Sequence, residues 1–366
     1  MSSLTPKTPE EIQEIVRQHD HLHPFGSRSK PALAAVPEGT TPLDMRGLSG
    51  IIEYDPNEYT FTAYAGTPVA EVAAELEQHG QYMPFDPLFA AAGATLGGTV
   101  AANTSGSGRF RYGGVRDFLI GIRFVDGHGR LVRGGGKVVK NASGFDLPKF
   151  FVGSLGRYGI LTELTFKVFP QPRHYVTLKL TYATLDAALQ TTFKLANTPF
   201  EMDALDLQPE TNRRFNTLIR LGGLPDALPG RVERLRSFLE KHTAVQEVQV
   251  LKEAAEQTLW AEINAVQWAN PNQHLVKIPL PPKRLSALNA LEGIEGRHYT
   301  AAGNVAWVTT ADLVGLNAHL ISMSLSGLVL TGSPQQLIIG ARPGLPLERR
   351  VKQALDPQGK FGPIEY

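Results

Sequence analysis

The chain of 366 residues contains no cysteine. Disulfide bonds, cysteine-ligated iron–sulfur clusters and cofactors attached through cysteine are therefore excluded within it. Long apolar runs are also lacking: none approaches the roughly 20 residues that cross a bilayer, so direct membrane insertion is not expected. The first 20 residues have no apolar core of the kind that a signal peptide needs. Together these absences predict a cytoplasmic protein.

The chain also lacks an excess of either charge, since 36 Lys and Arg stand against 35 Asp and Glu, a net charge of +1. This balance gives no reason to expect a nucleic-acid partner. The hydrophobic fraction of 42% is that of an ordinary globular protein. At this length, two domains are the default expectation.

Several standard motifs are missing. The glycines of 153–159 have the wrong spacing for a dinucleotide-binding Rossmann loop, and they precede a predicted strand rather than a helix. Gly134-Gly-Gly-Lys137 is followed by valine where a P-loop requires Ser or Thr. His19, His21 and His23 alternate, which would suit a metal site on a strand. However, His19 falls at the end of the predicted first helix, so a surface run of histidines is favoured and no metal site is predicted.

Two loops of glycine and other small residues stand out. The first is Gly26-Ser-Arg-Ser-Lys30, and the second, Gly93-Ala-Thr-Leu-Gly-Gly98, leads into a predicted helix. Small residues let a ligand approach the backbone closely, and the free N–H groups of such loops bind anions, diphosphates among them. A strand–helix unit separates the loops, and Arg116-Asp117 follows them. Either loop alone could be a pair of ordinary turns, but together they indicate a ligand site.

Pro170 and Pro172 mark a predicted domain boundary. Beyond them strand–helix–strand units repeat, which predicts an antiparallel sheet covered by helices on one face. The fold class is therefore predicted to be α+β. Residues 1–172 are expected to form a ligand-binding domain, residues 173–340 an antiparallel-sheet cap, and residues 341–366 a C-terminal helix and tail.

A longer series of motifs resembles a known family. The series is Gly26-Ser-Arg-Ser29, Pro84-Phe-Asp-Pro87, Gly93 to Gly98, Tyr112-Gly113, Val115-Arg-Asp117, Gly144-Phe-Asp-Leu147 and Val152 to Glu163. It resembles the PCMH-type FAD-binding domain of the vanillyl-alcohol oxidase family. Within that family, Leu43 to Arg46, Tyr54 to Pro56 and Ala65 to Pro68 are most similar to the smaller FAD-binding subunits of bacterial glycolate oxidases. The resemblance covers residues 20–172 and the last twenty residues, and it is thin in the cap.

This resemblance implies a two-part FAD-binding domain in which the backbone N–H groups of loops 26–30 and 94–98 hold the diphosphate. It also implies that the isoalloxazine ring lies between this domain and the cap. Covalent relatives carry histidine where this chain has Arg28, which predicts non-covalent FAD, and Arg28 could balance a phosphate charge. The implied cofactor residues are Gly26, Ser27, Arg28, Ser29, Pro84, Asp86, Gly93, Ala94, Thr95, Gly97, Gly98, Ala102, Asn103, Ser105, Tyr112, Gly113, Arg116, Asp117, Gly144, Gly159 and Ile160.

The C-terminal stretch Val351 to Phe361 is similar to the helix and tail that return to the flavin domain in this family. One departure lies just beyond it. Gly362 precedes Pro363 where relatives commonly have asparagine. In the family this asparagine is at the last contact with the cofactor, so the resemblance does not extend to that contact.

Oxidation of a 2-hydroxy acid requires a flavin to accept the hydride, a cation to hold the carboxylate and a base to take the hydroxyl proton. Arg111 and Arg342 are the candidate cations and His274 is the candidate base, although each could equally be structural. The cap histidines are scattered and do not form the histidine-rich motif of the larger catalytic relatives. This favours a subunit role over a self-sufficient enzyme.

The resemblance therefore predicts an oxidoreductase subunit that acts on glycolate or another small 2-hydroxy acid. Its expected partners are a larger FAD-containing subunit and an iron–sulfur subunit, and any contact with the inner membrane would pass through them. Two alternatives are a stand-alone FAD-dependent dehydrogenase of a small hydroxy acid or alcohol, and a non-catalytic scaffold with little or no FAD.

Overall fold

The structure, a computed structural model, describes residues 3–136, 145–210, 214–332 and 335–364. Helix α1 (Pro9–Gln18) begins as the sequence predicts, because Thr8 Oγ1 accepts the N–H of Glu11 at 3.2 Å and Pro9 takes the first helical position. The reciprocal half of the predicted capping box differs, since the Glu11 carboxylate accepts the N–H of Lys7. Ile12 and Val16 lie one turn apart on the buried face of α1.

The first 170 residues build a five-stranded antiparallel sheet and two small strand pairs. The strands are β1 (Leu22–Phe25), β2 (Thr41–Asp44), β3 (Ile51–Asp55), β4 (Thr60–Tyr64), β5 (Gln81–Tyr82), β6 (Leu119–Val125), β7 (Leu131–Gly135), β8 (Ile160–Lys167) and β9 (Phe169–Pro170). The helices after α1 are α2 (Pro31–Ala34), α3 (Val69–Gln78), α4 (Leu96–Ala102), α5 (Arg109–Tyr112), α6 (Val115–Phe118) and α7 (Leu147–Phe151), with single 3-10 turns at Met45–Gly47 and Ala90–Ala92.

The large sheet has the strand order β3-β4-β8-β6-β7, and β1 pairs with β2 in parallel. Its central strand β8 alternates as a strand with one buried face should: Leu164 and Phe166 are buried, whereas Glu163, Thr165 and Lys167 are only partly so. We call this sheet, with β1, β2, β5, β9 and helices α1–α7, the N-terminal domain.

The next residues form a nine-stranded sheet in which every strand pair is antiparallel, as predicted. Its strands are β10 (His174–Tyr182), β11 (Ala204–Pro209), β12 (Phe215–Gly223), β13 (Glu247–Lys252), β14 (His274–Pro279), β15 (Ile294–Thr300), β16 (Val305–Thr310), β17 (Ser326–Val329) and β18 (Ile338–Gly340). The accompanying helices are α8 (Leu185–Ala196), α9 (Leu228–His242), α10 (Glu253–Asn264), α11 (Leu285–Asn289) and α12 (Leu313–Ser322), with a 3-10 turn at Pro282–Arg284. We call this unit the cap, and the predicted α+β class is confirmed.

Both faces of the cap sheet are covered. On β14 and β16, Val276 and Val308 pack in the cluster that includes α8, α9, α11 and α12, while Leu275 and Trp307 pack in the cluster of the N-terminal domain. The sequence predicted helices on one face only, which is wrong: helix α10 lies on this second face, where its Trp260 packs with Ala204 and Leu218. Strands buried on both faces carry nearly continuous apolar sequence, as β14 and β16 do.

The C-terminal segment returns to the N-terminal domain. Helix α13 (Leu345–Leu355) packs Leu345, Val351 and Leu355 against the apolar cluster of that domain. Beyond it, Phe361 lies in the cluster of α1, and the buried Lys360 ammonium donates to the carbonyls of residues 16 and 19 at 2.7 and 2.9 Å. No helix in the described ranges is long and apolar enough to cross a membrane.

Candidate cofactor site

A cavity of about 780 Å³, partly open to solvent, lies between the two small-residue loops of the N-terminal domain. Its walls come from loop 26–30, α2, the first turns of α4 and the segment entering β8, and all of its lining residues belong to the N-terminal domain. Ten of the predicted cofactor residues line it: Gly26, Ser27, Arg28, Ser29, Thr95, Gly97, Gly98, Ala102, Gly159 and Ile160.

The glycines set the spacing of the cavity walls. A Cβ on Gly26 would lie 2.5 Å from Thr95 Oγ1, and a Cβ on Gly97 would lie 2.9 Å from the Ala65 carbonyl oxygen. Thr95 is itself engaged, since its Oγ1 caps α4 by accepting the N–H of Gly98 at 3.2 Å. The two loops therefore approach each other more closely than side-chain-bearing residues would allow.

The two loops differ in their free backbone donors. In the second loop, the N–H groups of residues 94, 96, 97 and 98 donate to Phe89 O, Thr67 O, Ala65 O and Thr95 Oγ1. In the first loop, the N–H groups of residues 26–30 have no acceptor in the part of the chain that the structure describes, and Arg28 has a left-handed φ of 62°. A run of unpaired N–H groups that includes a left-handed residue is an anion-binding nest. Loop 26–30 thus has the shape of an anion-binding nest, whereas loop 94–98 has already used four of its five donors.

Two cationic side chains of the first loop, Arg28 and Lys30, lie at the cavity. Lys30 is 6% exposed and lines the cavity, and burial lowers its pKa to about 8. The Arg28 guanidinium also lines the cavity and stacks 4.4 Å above the ring of Phe25. Ser27 Oγ is buried without a hydrogen-bond partner among the described residues. Unpaired N–H groups, two cations and an orphan hydroxyl on one loop fit the doubly negative diphosphate of FAD.

The family resemblance implies that the loop from Ala102 to Gly114 lines the cofactor. Ala102 lies in the cavity wall, whereas residues 103–114 lie beside the cavity, where the cap holds them at several points. Lys277 Nζ of β14 donates to the Asn103 carbonyl, and Ser107 Oγ donates to Asp206 of β11. Asp203, just before β11, accepts from Arg111 and from the Tyr112 hydroxyl, each at 3.0 Å. Three cap side chains (Asp203, Asp206 and Lys277) therefore fix the conformation of this loop.

The remaining predicted cofactor residues shape the same region from outside the cavity wall. The buried Asp86 carboxylate, whose pKa is raised by burial, accepts the N–H of Gly108 at 2.8 Å. Pro84, Gly93, Ala94, Asn103, Ser105, Tyr112, Gly113, Arg116 and Asp117 also lie outside the cavity wall. Among these, Ser105 Oγ accepts the N–H of Val115 and Asp117 accepts that of Gly114, both at 2.9 Å. Gly144 lies outside the described residues.

The three catalytic candidates do not meet at the cavity. Arg111 forms ion pairs with Asp203 at 3.0 Å and Glu201 at 3.3 Å. His274 Nδ1 lies 3.2 Å from the carbonyl of Thr331. Arg342 pairs with Glu348 at 2.8 Å and donates to the carbonyl of residue 364 at 2.7 Å. Each thus has a protein partner, and their catalytic role remains a prediction. Across the described residues, no three His, Cys, Asp or Glu side chains are grouped as a metal site.

Two buried lysines are absent from the predicted site residues. Lys30 had a signal in the sequence, because residues 21–37 contain no Asp or Glu to pair with it. Lys277 is 4% exposed and stands alone among apolar residues in β14. Burial, assisted by the charge of Arg109, lowers the pKa of Lys277 to about 7. An isolated charge in an apolar strand was its only signal in the sequence.

Fold and cavity together define a flavin-binding protein, and comparison with known proteins identifies the flavin. Residues 3–135 match the model of the FAD binding domain family, so the N-terminal part of the chain is an FAD-binding domain. The whole chain shares its fold with an alkyldihydroxyacetonephosphate synthase, with a TM-score of 0.71 and 17% identity over 99% of this chain and 75% of that one. The predicted cofactor FAD and the predicted PCMH-type architecture are confirmed.

Among curated proteins, the chain is similar to glycolate oxidase subunit GlcE of Escherichia coli K12, with 41% identity over 170 residues, which cover 46% of this chain and 48% of that one. It is also 33% identical over 193 residues to glycolate oxidase subunit GlcD of Bacillus subtilis 168, covering 51% of this chain and 41% of that subunit. The resemblance to glycolate oxidase subunits is therefore confirmed, and the chain spans about half the length, or less, of the curated relatives it matches.

Proposed function

We propose that this chain is the FAD-binding subunit of a complex that oxidises glycolate or a closely related small 2-hydroxy acid. In that complex it would work beside a larger FAD-containing subunit and an iron–sulfur subunit. We place it in the cytoplasm, in contact with the inner membrane only through those partners. We also propose residues 1–172, 173–340 and 341–366 as its FAD domain, cap and returning C-terminal segment.

The observation that carries this proposal is the cavity between the two loops, with an anion-binding nest on one wall and glycines that let the two loops approach each other closely. The similarity to glycolate oxidase subunits supports the choice of reaction. The engaged side chains of Arg111, His274 and Arg342 support a subunit that completes its chemistry within an assembly, since each already has a protein partner.

When bound, FAD would supply the hydride or electron acceptance that an oxidation of this class requires. The chain's own residues would bind and orient it. Loop 26–30 would hold the diphosphate through backbone N–H groups without a covalent bond to the flavin. Ala102 and Ile160 would contact the cofactor from the wall, and the cap side chains Asp206 and Lys277 would hold the neighbouring loop 103–114 in place.

The test is a visible absorption spectrum of the purified chain, followed by anaerobic addition of glycolate and then of D-lactate. We expect a yellow protein whose flavin stays oxidised, because the proposed partners are absent. Bleaching by either acid would instead support a stand-alone dehydrogenase. A colourless protein that cannot be reconstituted with FAD would refute both and leave the non-catalytic scaffold.

A further inference from the structure

Lys30 is a buried cation without a counter-ion among the residues that the structure describes. No carboxylate in the described part of the chain lies within 4.0 Å of its ammonium group. Its contacts are the hydroxyl of Ser29 at 3.3 Å and the ring of Phe89, whose centroid is 5.5 Å away. Neither contact replaces the solvation that burial removes, so the charged form carries a substantial desolvation cost.

The ammonium group lies at the cavity. Lys30 is part of the cavity wall, and a Cβ built on Gly98 in the opposite loop would be only 3.8 Å from Lys30 Nζ. The ammonium group therefore lies between the two loops, beside the nest of unpaired N–H groups at 26–30. A ligand anion seated on that nest would come within reach of it.

The segment around Lys30 carries positive charge only. Residues 21–37 contain no Asp or Glu, and Arg28 adds a second cation to the same loop. Arg28 helps to lower the pKa of the Asp44 carboxyl group. That carboxylate, however, already forms an ion pair with the Arg46 guanidinium, at an N–O distance of 2.5 Å. Neither Arg28 nor Lys30 forms an ion pair within 4.0 Å among the described residues, and their two positive charges match the two negative charges of a diphosphate.

We propose that Lys30 is the buried counter-ion of the FAD diphosphate. The inference rests on the proposed binding of FAD in this cavity. It adds the Lys30 side chain to the binding site and predicts an effect of Lys30 on the stability of the protein with and without FAD. Because the cofactor-free protein leaves Lys30 without a counter-ion, this residue destabilises the empty protein and stabilises the loaded one. A structural lysine would instead stabilise both, so the opposite signs distinguish the two roles.

The experiment compares the full-length chain with Lys30→Met, and uses Lys241→Met, an exposed lysine on α9, as the matched control. FAD is removed, and the dissociation constants for FAD and for riboflavin, which lacks phosphate, are measured by flavin fluorescence. Thermal unfolding of the cofactor-free proteins is measured in parallel. We expect Lys30→Met to weaken FAD binding by roughly 10- to 100-fold, as for loss of a hydrogen bond to a charged group. Its riboflavin affinity should be unchanged and its cofactor-free melting temperature should rise.

Lys241→Met should alter none of these quantities, and Lys30→Arg, which keeps the charge, should retain most of the FAD affinity. Unchanged FAD affinity in Lys30→Met, or an equal loss for FAD and riboflavin, would overturn the inference while leaving FAD binding intact. A Lys30→Met protein that fails to fold would overturn it as well, because the empty protein is expected to gain stability. Failure of the wild-type chain to bind FAD at all would instead refute the proposed function.

Discussion

Replacing Lys277 by methionine is expected to stabilise the protein at neutral and acidic pH. Burial, and then the nearby charge of Arg109, lowers the pKa of Lys277 from 10.5 to about 7. At about 1.4 kcal/mol per pKa unit, this difference costs the folded state about 5 kcal/mol wherever the lysine is protonated in both states. Methionine removes that cost but leaves the Asn103 carbonyl without its donor, a loss of about 1–3 kcal/mol. The net gain at pH 6 should be about 2–4 kcal/mol.

The stability difference between the wild type and Lys277→Met should depend on pH. Between about pH 7 and 10.5 the unfolded lysine binds a proton that the folded one does not, so the stability of the wild type rises with pH. The methionine variant lacks this term, and its advantage should shrink above pH 7 and be largely gone near pH 9. The cross-strand neighbours of Lys277 are Trp307 and Leu328, which carry no charge. The charged group that lowers the pKa of Lys277 is Arg109.

Urea unfolding of the wild type and Lys277→Met at pH 6, 8 and 9 measures this difference. Lys283→Met, at an exposed lysine that follows β14, provides the control and should show no pH-dependent difference. A gap between wild type and Lys277→Met that is the same at pH 6 and pH 9 would refute the reasoning. So would a Lys277→Met variant that is less stable than the wild type at pH 6.

Three further outcomes follow from the site. Gly26→Ala should lower FAD affinity by at least about tenfold, because its Cβ would meet Thr95 Oγ1 at 2.5 Å and force the loops apart. The control Gly136→Ala, whose Cβ would have no atom within 4 Å, should bind FAD normally in the same titration. Asp206→Ala should cost about 3 kcal/mol in urea unfolding, since three buried donors lose their acceptor, and an unchanged urea midpoint would contradict the role given to the cap. Arg111→Met should lower the free energy of unfolding by about 1 kcal/mol, because it removes two partly exposed ion pairs, and it should leave FAD affinity unchanged. Normal stability combined with loss of substrate-driven flavin reduction in the assembled complex would instead support the predicted catalytic role of Arg111.

Much of the fold could be predicted because its signals are local. Helix α8 (Leu185–Ala196) can be placed from sequence because Thr184 caps it and its apolar residues recur with helical spacing. Helix α10 was missed because it lacks such a start: Lys252 makes no capping hydrogen bond, and Glu253 enters the helix with a left-handed φ of 49°. Strand β15 was also missed, because its sequence IEGRHYT is largely polar, although Ile294 and Tyr299 pack in the core of the cap.

The same distinction holds for the cofactor site. The two loops could be found from sequence because close backbone approach requires glycine, as at Gly26 and Gly97, whatever lies elsewhere in the chain. The support of loop 103–114 could not be found, since Asp206 and Lys277 reach it from residues 99 and 174 positions away in sequence. Which cap residue meets which loop depends on how the sheet docks, and that information is not contained in local patterns.

The hydrogen bonds that close the tail over helix α1 have a consequence for how the protein is made. Lys360 meets the carbonyl of Val16 across 344 positions of the chain, and Phe361 covers the apolar face of the same helix. At roughly 5–20 residues per second, a ribosome would add Lys360 about 20 to 70 seconds after it has synthesised α1. During that interval Ile12 and Val16 lack part of their final cover. The apolar face of α1 in the nascent N-terminal domain is thus incompletely covered until residues 360 and 361 have been synthesised.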